Sequence, residues 1–174
     1  MPQLPKALLH GAGQLRGNGL GVAMDERPTP LEIGKGRIVK QGADVAVLNF
    51  GARLGECLKA ADMLAAKNIA ITVADARFAK PLDEALVAQL LKDHSLVITI
   101  EEGASGGFGA HVLSYAANAG LIHDGAQLRV LTLPDSYQAH DTQDKMYAEA
   151  GLDAAHLVAQ VEAWLGRAAR SDAA

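Results

Sequence analysis

Ser105 lies within Gly103-Ala104-Ser105-Gly106-Gly107, a G-x-S-x-G pattern between an apolar β-branched run (LVITI, residues 96–100) and a helical stretch over residues 111–119. Between a strand and a helix, this pattern holds a serine on a sharp turn with its hydroxyl presented for attack. Such a nucleophile needs a base and an acid. Asp135 and His140 follow the next strand, in the order Ser, Asp, His that suits this architecture. Ser105, Asp135 and His140 are therefore a candidate triad for a small esterase or lipase. No HGGG-type oxyanion segment accompanies it, and His10-Gly11-Ala12-Gly13 is only a faint echo. A loop serine that merely bonds the backbone is the preferred reading.

Other chemistry finds less support. The glycine turn at 103–109 could offer helix N-terminal amides to a phosphate, but it has neither the Walker lysine nor a G-x-G-x-x-G with a later acid. Glu101 and Glu102 are adjacent, so on an extended chain they point to opposite sides and cannot flank one glycosidic bond. One of them is expected to cap the glycine loop or pair with a neighbouring domain. The charged stretch DARFAKP (75–81) reads as a hydrogen-bonded loop that orients the next helix, with Pro81 in its first turn. His94 and His123 read as loop or helix-end residues, and His111 and His156 as helical. No histidine or cysteine pair has metal-site spacing, so no bound transition metal is expected. Cys57 falls in an apolar helical pattern and reads as a small buried hydrophobe.

The elements that would position these residues alternate regularly. Strands are expected at 36–42 on a sheet edge, then at 44–50, 69–74, 96–100 and 127–133. Helices are expected at 54–67, 82–92, 111–119, 142–150 and 153–168. Asp153 caps the last of these, Gly151 breaks the chain before it, and Val158, Val161, Trp164 and Leu165 form its inward stripe. Strand-helix alternation means parallel strands with helices on both faces: an α/β sandwich of about five strands. Ligands of such sheets gather at the carboxyl ends of the strands, at 49–53, 75–80, 101–108 and 134–141. Residues 1–35, rich in Gly and Pro, read as an extended arm, 36–168 as one domain, and 169–174 as a frayed tail.

Composition removes several function classes. Twenty acidic against sixteen basic residues leave a net charge of −4 and no basic block, so nucleic acid is not an expected partner. No apolar run approaches the ~20 residues that span a bilayer, and the proline-interrupted leader is a poor signal peptide. With a single cysteine, an intramolecular disulfide is impossible. A reducing, cytoplasmic setting is the expectation.

Five strings in order carry a more specific message: RGNGLGV (16–22), PLEIGKGRIV (30–39), DARFAKPLD (75–83), EEGASGGFGAHVL (101–113) and LPDSYQAHDTQDKMYAEAGLDA (133–154). Together they resemble the C-terminal, transketolase-type domain of 1-deoxy-D-xylulose-5-phosphate synthase. The resemblance implies a three-layer α/β/α sandwich with a mostly parallel five-stranded sheet and one antiparallel edge strand. It also implies that the intact enzyme condenses pyruvate with glyceraldehyde 3-phosphate, using thiamine diphosphate and Mg²⁺, on a route to isoprenoids. The family's Tyr-Pro-Arg-Gly arginine, which helps hold the substrate phosphate, falls on Arg16, with Gln14 and Leu15 in place of Tyr-Pro. A guanidinium fork suits that task. The parts that hold the cofactor and metal lie in upstream domains of that family. On this reading the chain binds no cofactor by itself and is inactive alone in the reaction. Its partners are upstream synthase domains or a second copy of the chain in a homodimer. A free-standing esterase and a non-catalytic dimerisation module are the alternatives.

Overall fold

The computed structural model describes residues 30–122 and 127–171. Five strands form one sheet in the order β1-β3-β2-β4-β5. The central pair, β2 (Val45–Phe50) and β4 (Leu96–Glu101), is apolar and buried almost throughout, as strands covered on both faces must be. β3 (Ile71–Asp75) and β5 (Gln127–Leu131) pair parallel to them. β1 (Arg37–Lys40) runs antiparallel on the outer edge of β3, with Arg37 opposite Asp75. Its alternating exposure is the edge-strand pattern that the sequence shows.

Side-chain alternation sends successive strand residues to opposite cores. Val45, Val47, Ile71, Val73, Ile98 and Ile100 pack with α1 (Leu54–Ala65) and α5 (Ala154–Ser171). Ala46, Leu48, Ala74 and Val97 pack on the other face with α2 (Glu84–Asp93) and α3 (Phe108–Asn118). Each fully buried Val, Leu or Ile contributes about 1.5–3 kcal/mol, so the two helical layers hold the sheet between them. The expected three-layer α/β/α architecture is present. None of the described helices is long and apolar enough to cross a membrane.

Most boundaries shift by one to three residues, three of them for a visible reason. α2 begins at Glu84, not at Leu82: Asp83 is its cap, its Oδ1 accepting from Leu86 N–H at 3.1 Å, so Pro81 stands outside the helix. α3 begins at Phe108, three residues before the expected start. β5 ends at Leu131, because Leu133 N–H turns away to donate to Gly103 O at 2.9 Å. A short helix, α4 (Gln143–Glu149), buries no residue fully, and Gly151, at φ +73°, separates it from α5. Asp153 caps α5 as expected, accepting from His156 N–H at 2.9 Å.

Candidate functional site

The helices after β2 and β4 pack on opposite faces of the sheet, which makes the space between these two strand ends its topological switch point. In open α/β sheets that crevice is where ligands bind. Here the chain's own side chains fill it. Glu101, the last residue of β4, is 4% exposed. Its carboxylate accepts from Phe108 N–H at 2.9 Å and from Gly109 N–H at 2.7 Å, satisfying the first amides of α3. An internal anion therefore occupies the helix N-terminus that a phosphate would need.

Two glycines of the turn, Gly103 and Gly107, leave room for that carboxylate. A Cβ at Gly103 would come within 2.6 Å of Glu101 Oε2, and one at Gly107 within 2.9 Å of Glu101 Cδ. A Cβ at Gly109 would meet Thr99 Oγ1 at 2.6 Å, so α3 could not approach the sheet. Packing thus accounts for Gly103, Gly107 and Gly109, and the backbone at φ +97° for Gly106. The cap lies seven residues upstream of α3, on a strand, so no Ser, Thr, Asp or Asn marks the helix start locally. The expected start at residue 111 was late for that reason.

Glu102 points the other way, as strand periodicity requires. Its Oε1 receives Arg53 Nε at 3.1 Å, with both side chains largely shielded from solvent. The Arg53 guanidinium also lies 3.6 Å from the centre of the Tyr147 ring, tying α4 to the rim. Burial raises the Tyr147 hydroxyl pKa, and the Glu102 carboxylate adds to the effect. On the α3 side Phe50 and Phe108 stack with centroids 4.9 Å apart. The ion pair and the ring pair close the crevice from its two faces.

Ser105 stands at the strand-to-helix corner, where the G-x-S-x-G pattern placed it, and it is exposed. Asp135 and His140 lie in the segment after β5 and are also exposed. No hydrogen bond among the described residues joins any two of the three. A cleft of about 270 Å³ opens nearby, lined by Leu133, Gln138, Asp141, Gln143, Met146 and Tyr147. None of the three triad candidates lines it. Arg16 lies outside the described residues.

Further along the rim, Asp83 anchors the 75–83 loop. Asp83 Oδ2 accepts from Gly36 N–H at 3.0 Å while its Oδ1 caps α2, fastening the entry to β1 against the next helix. Asp75 is shared by Arg37 at 3.4 Å and Arg77 at 4.0 Å. Two buried groups escaped the sequence reading. His94, at the end of α2 as expected, is buried, with Nε2 2.8 Å from Thr72 Oγ1 and Nδ1 3.0 Å from Leu90 O. Asn49 is also buried, and its Oδ1 has no hydrogen-bond partner. An isolated His or Asn gives no local signal of such burial. Cys57 is 0% exposed, and burial pushes its thiol up to about 12, so it is an inert core residue.

Residues 34–157 match the family model described as transketolase, C-terminal domain. The chain belongs to this family. It is also similar to a solved structure titled "Split gene transketolase, inactive beta4 tetramer", at 28% identity and a TM-score of 0.71. The match covers 82% of this chain and 46% of that one, so the chain spans less than half the length of that relative. Membership of the transketolase C-terminal family suggests thiamine diphosphate in an intact enzyme. The described residues do not fit that group. Glu101 holds the helix N-terminus that could take a diphosphate, and no three His, Cys, Asp or Glu residues among those described are grouped to hold a metal ion.

Proposed function

We propose that this transketolase-type domain is the C-terminal part of a thiamine-diphosphate-dependent synthase that condenses pyruvate with glyceraldehyde 3-phosphate. In that role it serves assembly with upstream domains or a second copy, and Arg16 contributes to holding the substrate phosphate. The domain alone does not carry out the reaction. The observation that supports this reading is the occupied switch point: Glu101 on the α3 amides and Glu102 on Arg53 commit the charged groups of the usual ligand crevice internally. Chemistry then has to be completed by residues outside the described domain. The choice of pyruvate and glyceraldehyde 3-phosphate rests on the five resembling strings and on no other feature.

Mixing the chain with an upstream fragment of a related synthase and following pyruvate-dependent turnover tests the proposal. Turnover is expected from the mixture only, and Arg16→Ala is expected to raise KM for the aldehyde at least tenfold. Failure of the two pieces to associate or to react would remove the reading. A p-nitrophenyl acetate assay of the chain alone, beside Ser105→Ala, addresses the hydrolase alternative. The exposed and mutually unbonded Ser105, Asp135 and His140 lead us to expect no serine-dependent hydrolysis.

A further inference from the structure

One place on the carboxyl rim is left electrostatically incomplete. Arg37 Nε and Arg77 Nε approach the same oxygen, Asp75 Oδ2, at 3.4 and 4.0 Å. Two guanidinium groups thus share one carboxylate, with a net positive charge between them. Neither donates a side-chain hydrogen bond to any described residue, although each carries five N–H donors. Asp75 Oδ1 is committed to the Arg77 backbone N–H at 3.2 Å. Arg77 is only 22% exposed, whereas Arg37 is 51% exposed, so one fork is held and the other is free to adjust. Burial and the nearby Arg37 both lower the Arg77 pKa, which marks the pair as under-compensated.

The backbone places Arg77 deliberately. Phe78 N–H donates to Ala76 O at 2.6 Å, closing a three-residue turn with Arg77 at its apex and at φ +58°. The only other described non-glycine residue with positive φ is Asn68, a type that tolerates that conformation. Arginine does not, and glycine would serve the turn better. Strain of this kind persists where the side chain has a task. β1 supplies the second fork because its antiparallel register sets Arg37 opposite Asp75.

The geometry points to an oxyanion site formed by Arg37 and Arg77, oriented by Asp75, that takes a phosphate group. Paired guanidinium forks match phosphate oxygens bidentately and carry the charge needed. The inference does not depend on the reaction proposed above. Free phosphate and a phosphate monoester present the same group, and the probes separate the two sources.

The test titrates the full chain with inorganic phosphate, methyl phosphate, sulfate or malonate at fixed ionic strength, following ¹⁵N-labelled arginine Nε–H resonances. Saturable shifts of Arg37 and Arg77 with phosphate are expected, with at least tenfold weaker binding in Arg77→Gly. The same variant should melt at a higher temperature, since glycine relieves the turn. Arg37→Gln should weaken binding without the stability gain. Tighter binding of methyl phosphate than of inorganic phosphate would assign the site to an ester. Malonate binding as tightly as either would mean a carboxylate site, as a partner's acidic side chain would need, and would overturn the assignment. Equal shifts with every anion, or an Arg77→Gly chain that binds like the native one, would overturn it as well.

Discussion

Two stretches of the same sheet rim, one at the end of β4 and one at the end of β3, treat their carboxylates in opposite ways. Glu101 is enclosed and receives two backbone N–H groups at 2.9 and 2.7 Å, so neither its charge nor the helix amides need anything further. Asp75 is flanked by two arginines at 3.4 and 4.0 Å and balances only one of them. The difference shows how a fold that offers ligand positions at every strand end can retire some of them. A carboxylate supplied from the strand itself closes the corner as a bound anion would, and the glycines around it serve the closure. Where the counter-charge is insufficient, the rim stays receptive.

Removing the enclosed carboxylate is the most damaging way to break this contrast. Glu101→Ala leaves the Phe108 and Gly109 N–H groups buried without an acceptor and empties the space that Gly103 and Gly107 made. Charge-assisted hydrogen bonds contribute roughly 1.5–3 kcal/mol each, and stranded donors add to the loss, so a drop of at least about 3 kcal/mol in urea unfolding is expected. Glu101→Gln keeps one acceptor but turns an N–H toward another N–H, for about half that cost. An unfolding midpoint unchanged in Glu101→Ala would show that the corner is held by packing alone.

The sequence made the layers readable and the closures unreadable, for a physical reason. Runs such as DVAVLNF and LVITI can satisfy only a strand covered on both faces, and the helical stripes between them leave little freedom in topology. The opposite orientation of Glu101 and Glu102 also followed from period-2 geometry. Which partners they meet did not. Glu101 caps a helix seven residues away, and Glu102 meets Arg53 only because β2 and β4 are neighbours in space though not in sequence. The Arg37–Asp75–Arg77 group likewise depends on β1 pairing antiparallel with β3, a register that no local pattern encodes. For the triad candidates, the chain order of Ser105, Asp135 and His140 was legible but carries no information about their separation.

The closed side of the molecule should also show in its thiol. Cys57 sits beneath the rim with its ionisation pushed up from 9.0 to about 12, chiefly by burial. In the unfolded chain the thiol ionises near its ordinary value, so only the unfolded state gains thiolate between those limits. The contribution of the buried neutral thiol is complete below pH 9.0 and is lost as pH rises toward about 12. A native chain at pH 8 should react with a thiol-specific chromogenic disulfide only at its unfolding rate, and Cys57→Ala should flatten the alkaline part of the stability curve. Rapid labelling without unfolding would place the thiol at an open surface.

The smallest effect is expected at the contact that fastens α4. Tyr147→Leu keeps an apolar side chain against the α1–α5 core layer but removes the ring 3.6 Å from the Arg53 guanidinium. A cation–π contact between a shielded guanidinium and a part-exposed ring contributes about 1 kcal/mol. The Arg53–Glu102 pair remains, so global unfolding should barely move. Because α4 buries no residue fully, its attachment depends on Tyr147 far more than the sheet does. Amide exchange across residues 143–149 should therefore quicken about threefold to fivefold while β2 and β4 stay protected. Equal quickening in the sheet would mean that the switch point is held open or shut by α4, and that Glu101 and Arg53 do not close it by themselves.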